Sequence, residues 1–451
     1  MLKNIRQLTP FSLLLLAMAF TMSISQSTMT TAYPILMAHF QVAADTVQWL
    51  TTGFMVAMTL VMPVSPWLLN NISLRRLLNG IVVVFLIGTA VAMFATHFTG
   101  VILGRLLEGL AVGALFPTFQ SVILENTPVE NRGATMGVVG LVMGSALAVG
   151  PIISGVVLQW VSWRALFGLF FVILAGLLLL GQCWIQNTHH LQPSRFDWLS
   201  AVSLLGFGGL LYALSSLAQS HFDTTWWLIT GVSLLLLIGF VVRQQRLPQP
   251  FLDLSVLRYR GYLPGLLLTG IAYSGLIIAT VIMPLFYQKV FHLSPMWSGL
   301  LLMPAAVFLS QLNPKAGELL NQIGLRKLVY IGMTMMIVGY VLLAFFGLRS
   351  WLVGLVSAMF LEGGNAFVMM PAITAANNVL PKPLVSHGTA LITTMRQVIG
   401  AGSVVVATLC LSHYNLTLSF GQALVRTSAW FILVPVLGLL LATQLQQTKQ
   451  K

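Results

Sequence analysis

Acidic side chains are nearly absent from this sequence: nine Asp and Glu stand among 451 residues, against 22 Lys and Arg. Charged residues of both signs make up 7% of the chain, where soluble domains carry roughly a quarter. A water-facing globule could not cover itself with so few charges, whereas a bilayer solvates an apolar surface. Cysteine is scarce too. Cys183 and Cys410 lie far apart in apolar stretches, which indicates neither a disulfide framework nor a metal site. No Gly-x-x-x-x-Gly-Lys-Ser/Thr run occurs, which argues against ATP-driven work. The net charge of +13 does not make a nucleic-acid surface, because the basic residues are scattered between apolar runs.

Hydrophobic residues fill the space, at 57% of the chain. Crossing ~30 Å of hydrocarbon takes ~20 apolar residues, so this length holds at most about sixteen to eighteen spans. Apolar runs between charged or Pro/Asn/Gly-rich breaks predict helices near 11–33, 46–69, 77–96, 99–122, 133–158, 163–186 and 198–217. A second set is predicted near 225–243, 261–287, 296–320, 328–347, 351–376, 386–412 and 425–446. Lys3 and Arg6 before the first run imitate a signal peptide, but the run continues past Ala32, which predicts an uncleaved helix.

Orientation follows from the cations. With the N-terminus inside, sixteen Lys and Arg fall on the cytoplasmic side, among them Lys3, Arg75, Arg76, Arg132, Arg326, Lys327 and Lys451. Only Arg164, Lys289, Arg349 and Arg426 fall outside. That asymmetry fits an even number of spans with both termini cytoplasmic, in the plasma membrane.

The chain also repeats itself. Leu68 to Leu77 reads LLNNISLRRL and Leu319 to Leu328 reads LLNQIGLRKL, identical at seven of ten positions. Leu107-Glu108-Gly109 with Pro117 matches Leu361-Glu362-Gly363 with Pro371, and Pro128 with Arg132-Gly133 matches Pro383 with His387-Gly388. The order and the nearly constant offset imply two homologous halves, a known transporter design with the substrate site between them. The offset exceeds what six helices need, so two helices are inserted. The expected division is an N-terminal six-helix bundle at 1–190, the inserted pair at 191–250 and a C-terminal bundle at 251–451.

These features resemble the major facilitator superfamily, and within it the fourteen-span drug:proton antiporters of multidrug, quaternary-ammonium and lincomycin resistance. The resemblance covers nearly the whole chain. Its most specific part runs from Gly144 through Gly150-Pro151 to Gly155, similar to the family's antiporter motif. Ser162-Trp163-Arg164 with Phe167, Phe196-Asp197-Trp198, Pro250-Phe251-Leu252-Asp253-Leu254, Thr51-Thr52-Gly53-Phe54 and Arg396-Gln397 add to it. Arg105 with Gly109 and Gly113 resembles the helix 4 motif, whose Arg the family associates with proton coupling. The loops around Asn70, Arg75 and Arg76, and around Asn321, Arg326 and Lys327, stand where the resemblance puts cytoplasmic gating loops. Four positions depart from the pattern. Pro66 and Asn70 replace a Gly and an Asp, Ser25 stands where many relatives place an acid in helix 1, and Glu108 replaces a Gln.

Most of the nine acids fall in loops or at helix ends, which leaves Glu108 and Glu362 inside spans. An ionisable group in a span costs several kcal/mol and is a functional candidate by default. The repeat places both at equivalent positions, where they are expected to face one shared cavity. A carboxylate removed from water is a poorer anion, and a group poised between its two forms can exchange a proton for a cationic substrate. Glu108 follows Arg105 by three residues, so the pair can also simply neutralise itself on one helical face. Glu362 has Met359 at the corresponding position and no local cation. Arg396 is the other embedded cation, with snorkelling to the membrane face as its alternative. The small residues of the antiporter motif allow close helix approach, and Pro151 bends the helix. Phe54, Phe116, Phe119, Tyr273 and 21 Met residues could line an adaptable apolar pocket, and His189-His190 reads as a solvated connector.

The expectation is an all-α bacterial transporter, not an enzyme, that uses the proton gradient, no cofactor and no metal. It would act as a monomer to export amphipathic, often cationic compounds. A dedicated exporter or facilitator of a lipid, antibiotic or metabolite without proton antiport stays open. A polytopic membrane enzyme would need a polar cluster at a membrane face, and the sequence has none.

Overall fold

The protein is described by a computed structural model covering residues 10–42, 44–185, 191–217 and 223–445. Lys3, Arg6, His189, His190, Lys449 and Lys451 lie outside the described residues. Within them the chain is all helix and loop, with no strand.

The helices are α1 (Pro10–Phe40), α2 (Trp49–Asn71), α3 (Leu74–Met93), α4 (Phe98–Glu125), α5 (Val129–Trp160) and α6 (Trp163–Trp184). Next come α7 (Leu205–Leu217, led in by Trp198–Ser203) and α8 (Thr224–Arg246). The last set is α9 (Tyr262–Val290), α10 (303–323), α11 (325–346), α12 (Trp351–Asn378), α13 (Val385–Asn415) and α14 (Phe420–Gln444). Among the described residues eleven helical stretches are long and apolar enough to cross a membrane. One of them holds both α10 and α11, which meet at Gly324, where φ is 76°. An L side chain rarely adopts that conformation, so glycine there lets one rod end and the next begin.

Side-chain caps set several helix starts, by giving an acceptor to an N–H that the helix cannot satisfy. Ser162, Asp197, Asp223, Ser350 and Ser419 accept from the backbone N–H of Ala165, Ser200, Trp226, Leu352 and Gln422 respectively. Among the boundaries that differ from expectation, two stand out. Helix α1 runs through Pro34 to Phe40 instead of ending near residue 33, since proline removes one backbone bond without stopping a well-packed helix. Helix α14 starts at Phe420, just after its Ser419 cap and five residues before the predicted 425.

Helices α1 to α6 pack on one another through the pairs α3–α4, α2–α4, α1–α5, α3–α6 and α1–α6. Helices α9 to α14 form a second group through α9–α12, α9–α13, α13–α14 and the packing of α10 and α11 on α12. The groups meet where α5 lies on α10 and α12, and where α13 lies on α4 and on the Met62–Asn71 part of α2. These contacts concentrate at the end of the bundle that carries Arg75, Arg132, Arg326 and Lys327, here called the basic end. There the backbones touch. A Cβ on Gly133 would sit 2.5 Å from the carbonyl oxygen of Gly317, and one on Gly137 2.7 Å from that of Asn313. Toward the other end of α5, Val156 and Trp160 are exposed.

The α7–α8 pair stands outside both groups, with α7 against α2 and α13, and α8 exposing Trp227, Leu228, Leu235 and Ile238. Its two feet come together at the basic end. Phe196, just before the pair, and Phe251, just after it, have ring centroids 5.0 Å apart. Both rings pack on Trp67 of α2, at 4.9 and 5.9 Å. The pair is laced across its base. Arg243 donates to both oxygens of Asp197, each at 2.6 Å, and Gln244 Nε2 donates to Ser200 Oγ at 2.6 Å. The two-pronged bond from Arg243 is the main reason the Asp197 carboxyl is held down at about 2.

The folded carboxyl titrates below its unfolded value of ~3.9, so its stabilisation is complete above that pH and fades as pH falls from about 4 toward 2. Wild type should melt above Asp197→Asn by a margin that stays constant from about pH 8 to pH 5. The margin should shrink only below about pH 4. A margin that already closes between pH 8 and pH 6 would contradict the Arg243 fork.

Candidate functional site

The four embedded ions divide into a closed pair and two single charges. Arg105 and Glu108, one turn apart on α4, are both fully buried, and Arg105 Nη1 lies 2.5 Å from Glu108 Oε2. Other helices complete the network. Thr89 of α3 donates to Glu108 Oε1 at 2.8 Å, and Arg105 donates to the Leu50 carbonyl of α2 and to Ser25 Oγ of α1, each at 3.3 Å. The guanidinium also lies 4.3 Å from the centroid of Phe54. Glu108 therefore turns toward Arg105 and Thr89 inside the first group, whereas the repeat placed it with Glu362 on one shared cavity. Ser25, standing where relatives carry an acid, meets the same guanidinium.

Glu362 has no such company. It is 5% exposed on α12, and its Oε2 has no hydrogen-bond partner. One turn along the same face, Ala366 packs with Leu276 of α9 and Leu309 of α10, and Tyr273 packs against this cluster. Leu309 in turn faces Gly144 of α5, where an added Cβ would meet its side chain at 3.4 Å. Glu362 thus stands above a wedge of α9, α10 and α12 that reaches the first group.

Arg396 borders the same wedge. Only 6% exposed, it carries no ion pair among the described residues, and its Nε has no hydrogen-bond partner. Its guanidinium lies over the Tyr273 ring, 5.0 Å from the centroid. It sits eleven residues into α13, about 16 Å at 1.5 Å per residue, and packs on the ring instead of reaching for a membrane face. Tyr273 donates to Gln397 Oε1 at 2.8 Å, which fixes the ring beneath the cation. Asn365 donates to the Ala272 carbonyl at 2.7 Å while its Oδ1 stays unpartnered.

The antiporter-like motif is shared among neighbours. A Cβ on Gly144 would meet Ser310 Oγ of α10 at 2.9 Å, and one on Gly150 would overlap Ser27 Oγ of α1. Gly155 has nothing within 4 Å. Pro151 falls inside α5; its side chain lies outside the described residues. Hydroxyls join α1 to α5 across this stretch: Ser27 donates to the Ala146 carbonyl at 3.1 Å, Ser154 to that of Thr28 at 3.1 Å, and Thr31 to Ser154 Oγ.

Of the gating-loop residues, Asn321 bridges the two groups by donating to the Glu130 carbonyl. Arg75 instead bonds Gln182 of α6 within the first group, through its backbone and side-chain oxygens. The Asn70 carbonyl accepts from Gln192 of the connector at 2.8 Å. Arg326 lies 5.9 Å from the Tyr330 ring, while Arg76 and Lys327 are exposed. The bridge that sequence reasoning did not single out is Arg132. Buried at the start of α5, it donates to the Leu124 carbonyl at 2.9 Å and to Asn378 Oδ1 of α12 at 3.0 Å. Its place in the match of Pro128 and Arg132-Gly133 with Pro383 and His387-Gly388 was the available signal.

Comparison with known proteins adds an independent line. The Major Facilitator Superfamily profile matches residues 15–404. The uncharacterized MFS-type transporter YcnB of Bacillus subtilis is 34% identical over 395 residues, covering 86% of this chain and 83% of that protein. The lincomycin resistance protein LmrB of Listeria monocytogenes is 32% identical over 386 residues, covering 85% and 82%. Among solved structures, the human organic anion transporter MFSD10 superposes with a TM-score of 0.68 at 14% identity, covering 96% of this chain and 100% of that one.

Two expectations follow from the geometry. Arg105→Met leaves a buried carboxylate uncompensated and should cost about 3–5 kcal/mol, while Arg105→Met with Glu108→Gln should recover most of it. Melting of the purified variants decides this, and a double variant less stable than the single would refute a self-contained pair. Gly150→Val should fail to give folded protein against Ser27, whereas Gly155→Ala should stay within about 0.5 kcal/mol of wild type.

Proposed function

The chain belongs to the Major Facilitator Superfamily, and on that premise we propose that it exports amphipathic, often cationic small molecules in exchange for protons. The observation that carries the reading is Glu362, a carboxylate buried beside the wedge of α9, α10 and α12, its Oε2 without a partner. Exchange requires that binding one ligand weaken binding of the other. Protonated Glu362 offers nothing to a cation, and ionised Glu362 attracts one. Arg105 and Glu108 form a second polar centre, inside the first group, that a proton would split. The name of the relative LmrB supports a resistance-type exporter.

We place this chain in the fourteen-span subtype. The eleven apolar stretches become fourteen once the break at Gly324 divides one of them, and the 32-residue α5 and the α7 segment are added. The boundaries 1–190, 191–250 and 251–451 then separate two six-helix bundles from the inserted α7–α8 pair. The basic end is assigned to the cytoplasm by the excess of cations, with both termini there, in the plasma membrane. On that assignment the backbone contact of Gly133 with Gly317 closes the cytoplasmic side, so the conformation is outward-facing. The protein works as a monomer on the proton gradient, without a cofactor.

The second reading is a dedicated exporter without proton antiport, favoured by Ser25 meeting Arg105 where relatives carry an acid.

In liposomes holding a pH-sensitive dye, ethidium should drive proton movement through wild type. Glu362→Gln should abolish it, and Glu108→Gln should reduce it. Ethidium transport that persists in both variants without proton flux would remove antiport and leave the dedicated exporter.

A further inference from the structure

Two buried charges of the second helix group flank one apolar cluster, and neither has a counter-ion among the described residues. Arg396 lies over Tyr273, and Tyr273 packs on the Leu276–Leu309–Ala366 cluster. Ala366 is one turn from Glu362 on the same face of α12. A path of apolar side chains, Tyr273 and Ala366 among them, therefore runs between the cation and the carboxylate. Burying a charge without a partner costs several kcal/mol, and truncated hydrogen bonding at Arg396 Nε and Glu362 Oε2 adds to that cost. The Arg105–Glu108 pair shows how this chain stabilises ions that answer only each other. It places the partners 2.5 Å apart and adds hydroxyls and a carbonyl, which leaves Arg105 Nη2 as the one unpartnered nitrogen of an ion that is otherwise paired. The charges in the wedge are left open instead.

We propose that Arg396 and Glu362 are the two poles of a binding site for a zwitterionic amphipath. The acidic group of the ligand lies on the Arg396 guanidinium, its ammonium faces Glu362, and its apolar body rests on Tyr273 and Leu276. The planar guanidinium matches a carboxylate through two parallel N–H donors, and the Gln397–Tyr273 bond holds the ring that orients it. A purely cationic ligand uses only the Glu362 pole, and a purely anionic one only the Arg396 pole. This names a substrate class for the site of the proposed function and rests on that reading.

The test compares norfloxacin, which carries a carboxylate and a piperazinium, with its methyl ester and its N-acetyl derivative. Binding is measured by the ligand's own fluorescence to the full chain in nanodiscs. Wild type should bind the acid at least about tenfold tighter than the ester. Arg396→Gln should erase that preference while leaving ester affinity within about twofold, and Arg396→Lys, which keeps the charge, should restore part of it. N-acetylation should cost about tenfold in wild type and nothing in Glu362→Gln. Equal binding of acid and ester by wild type, or an unchanged ratio in Arg396→Gln, would overturn the proposal. Ethidium-driven proton movement is read separately. If it persists without an acid preference, the two-pole site falls and antiport stands. If the preference is present and the proton movement is not, antiport falls and the site stands.

Discussion

An ion inside a hydrophobic bundle has to be answered by another charge, a dipole or an aromatic face, and with nine acids in the whole chain few such answers are available. Arg105 takes one of each: a carboxylate on its own helix, a backbone carbonyl from α2, a hydroxyl from α1 and the face of Phe54. That network draws three helices onto α4 and counts as much as a structural pin as a chemical group. Arg396 has an aromatic face and little else. The same residue type thus stabilises one helix group from within and leaves the other with an unanswered field.

Close backbone approach is the second constraint. Where α5 meets α10, no side chain intervenes between Gly133 and Gly317. In lipid, helices gain little from burying apolar surface against each other, so tight van der Waals contact and hydrogen bonds hold them. At the basic end both are present, since Arg132 reaches Asn378 and Asn321 reaches the Glu130 carbonyl beside the glycines. A contact built from backbone atoms and a few polar side chains can separate without exposing a large apolar face, which suits a surface that opens and closes.

The helices were legible in the sequence because apolar run length is a direct physical requirement of the bilayer. Their ends were less so: Pro34 stays inside α1 because neighbours hold the helix past a missing bond. Local spacing foretold the Arg105–Glu108 pair, but not Thr89 or Ser25, which arrive from other helices. The repeat made Glu108 and Glu362 look alike, and one substitution, Arg105 against Met359, makes their surroundings opposite. Arg132 read as one more scattered cation, since nothing in its own stretch of chain reveals a partner more than two hundred residues away.

The position of Phe196 and Phe251, side by side on Trp67, gives the α7–α8 pair an unusual status. The chain leaves the first helix group and enters the second at almost the same point, with a two-helix excursion between. An excursion that starts and ends in one place fixes no spacing between what it joins. The length of the hairpin is therefore free of the distance between the helix groups, because the two ends of the excursion are already side by side.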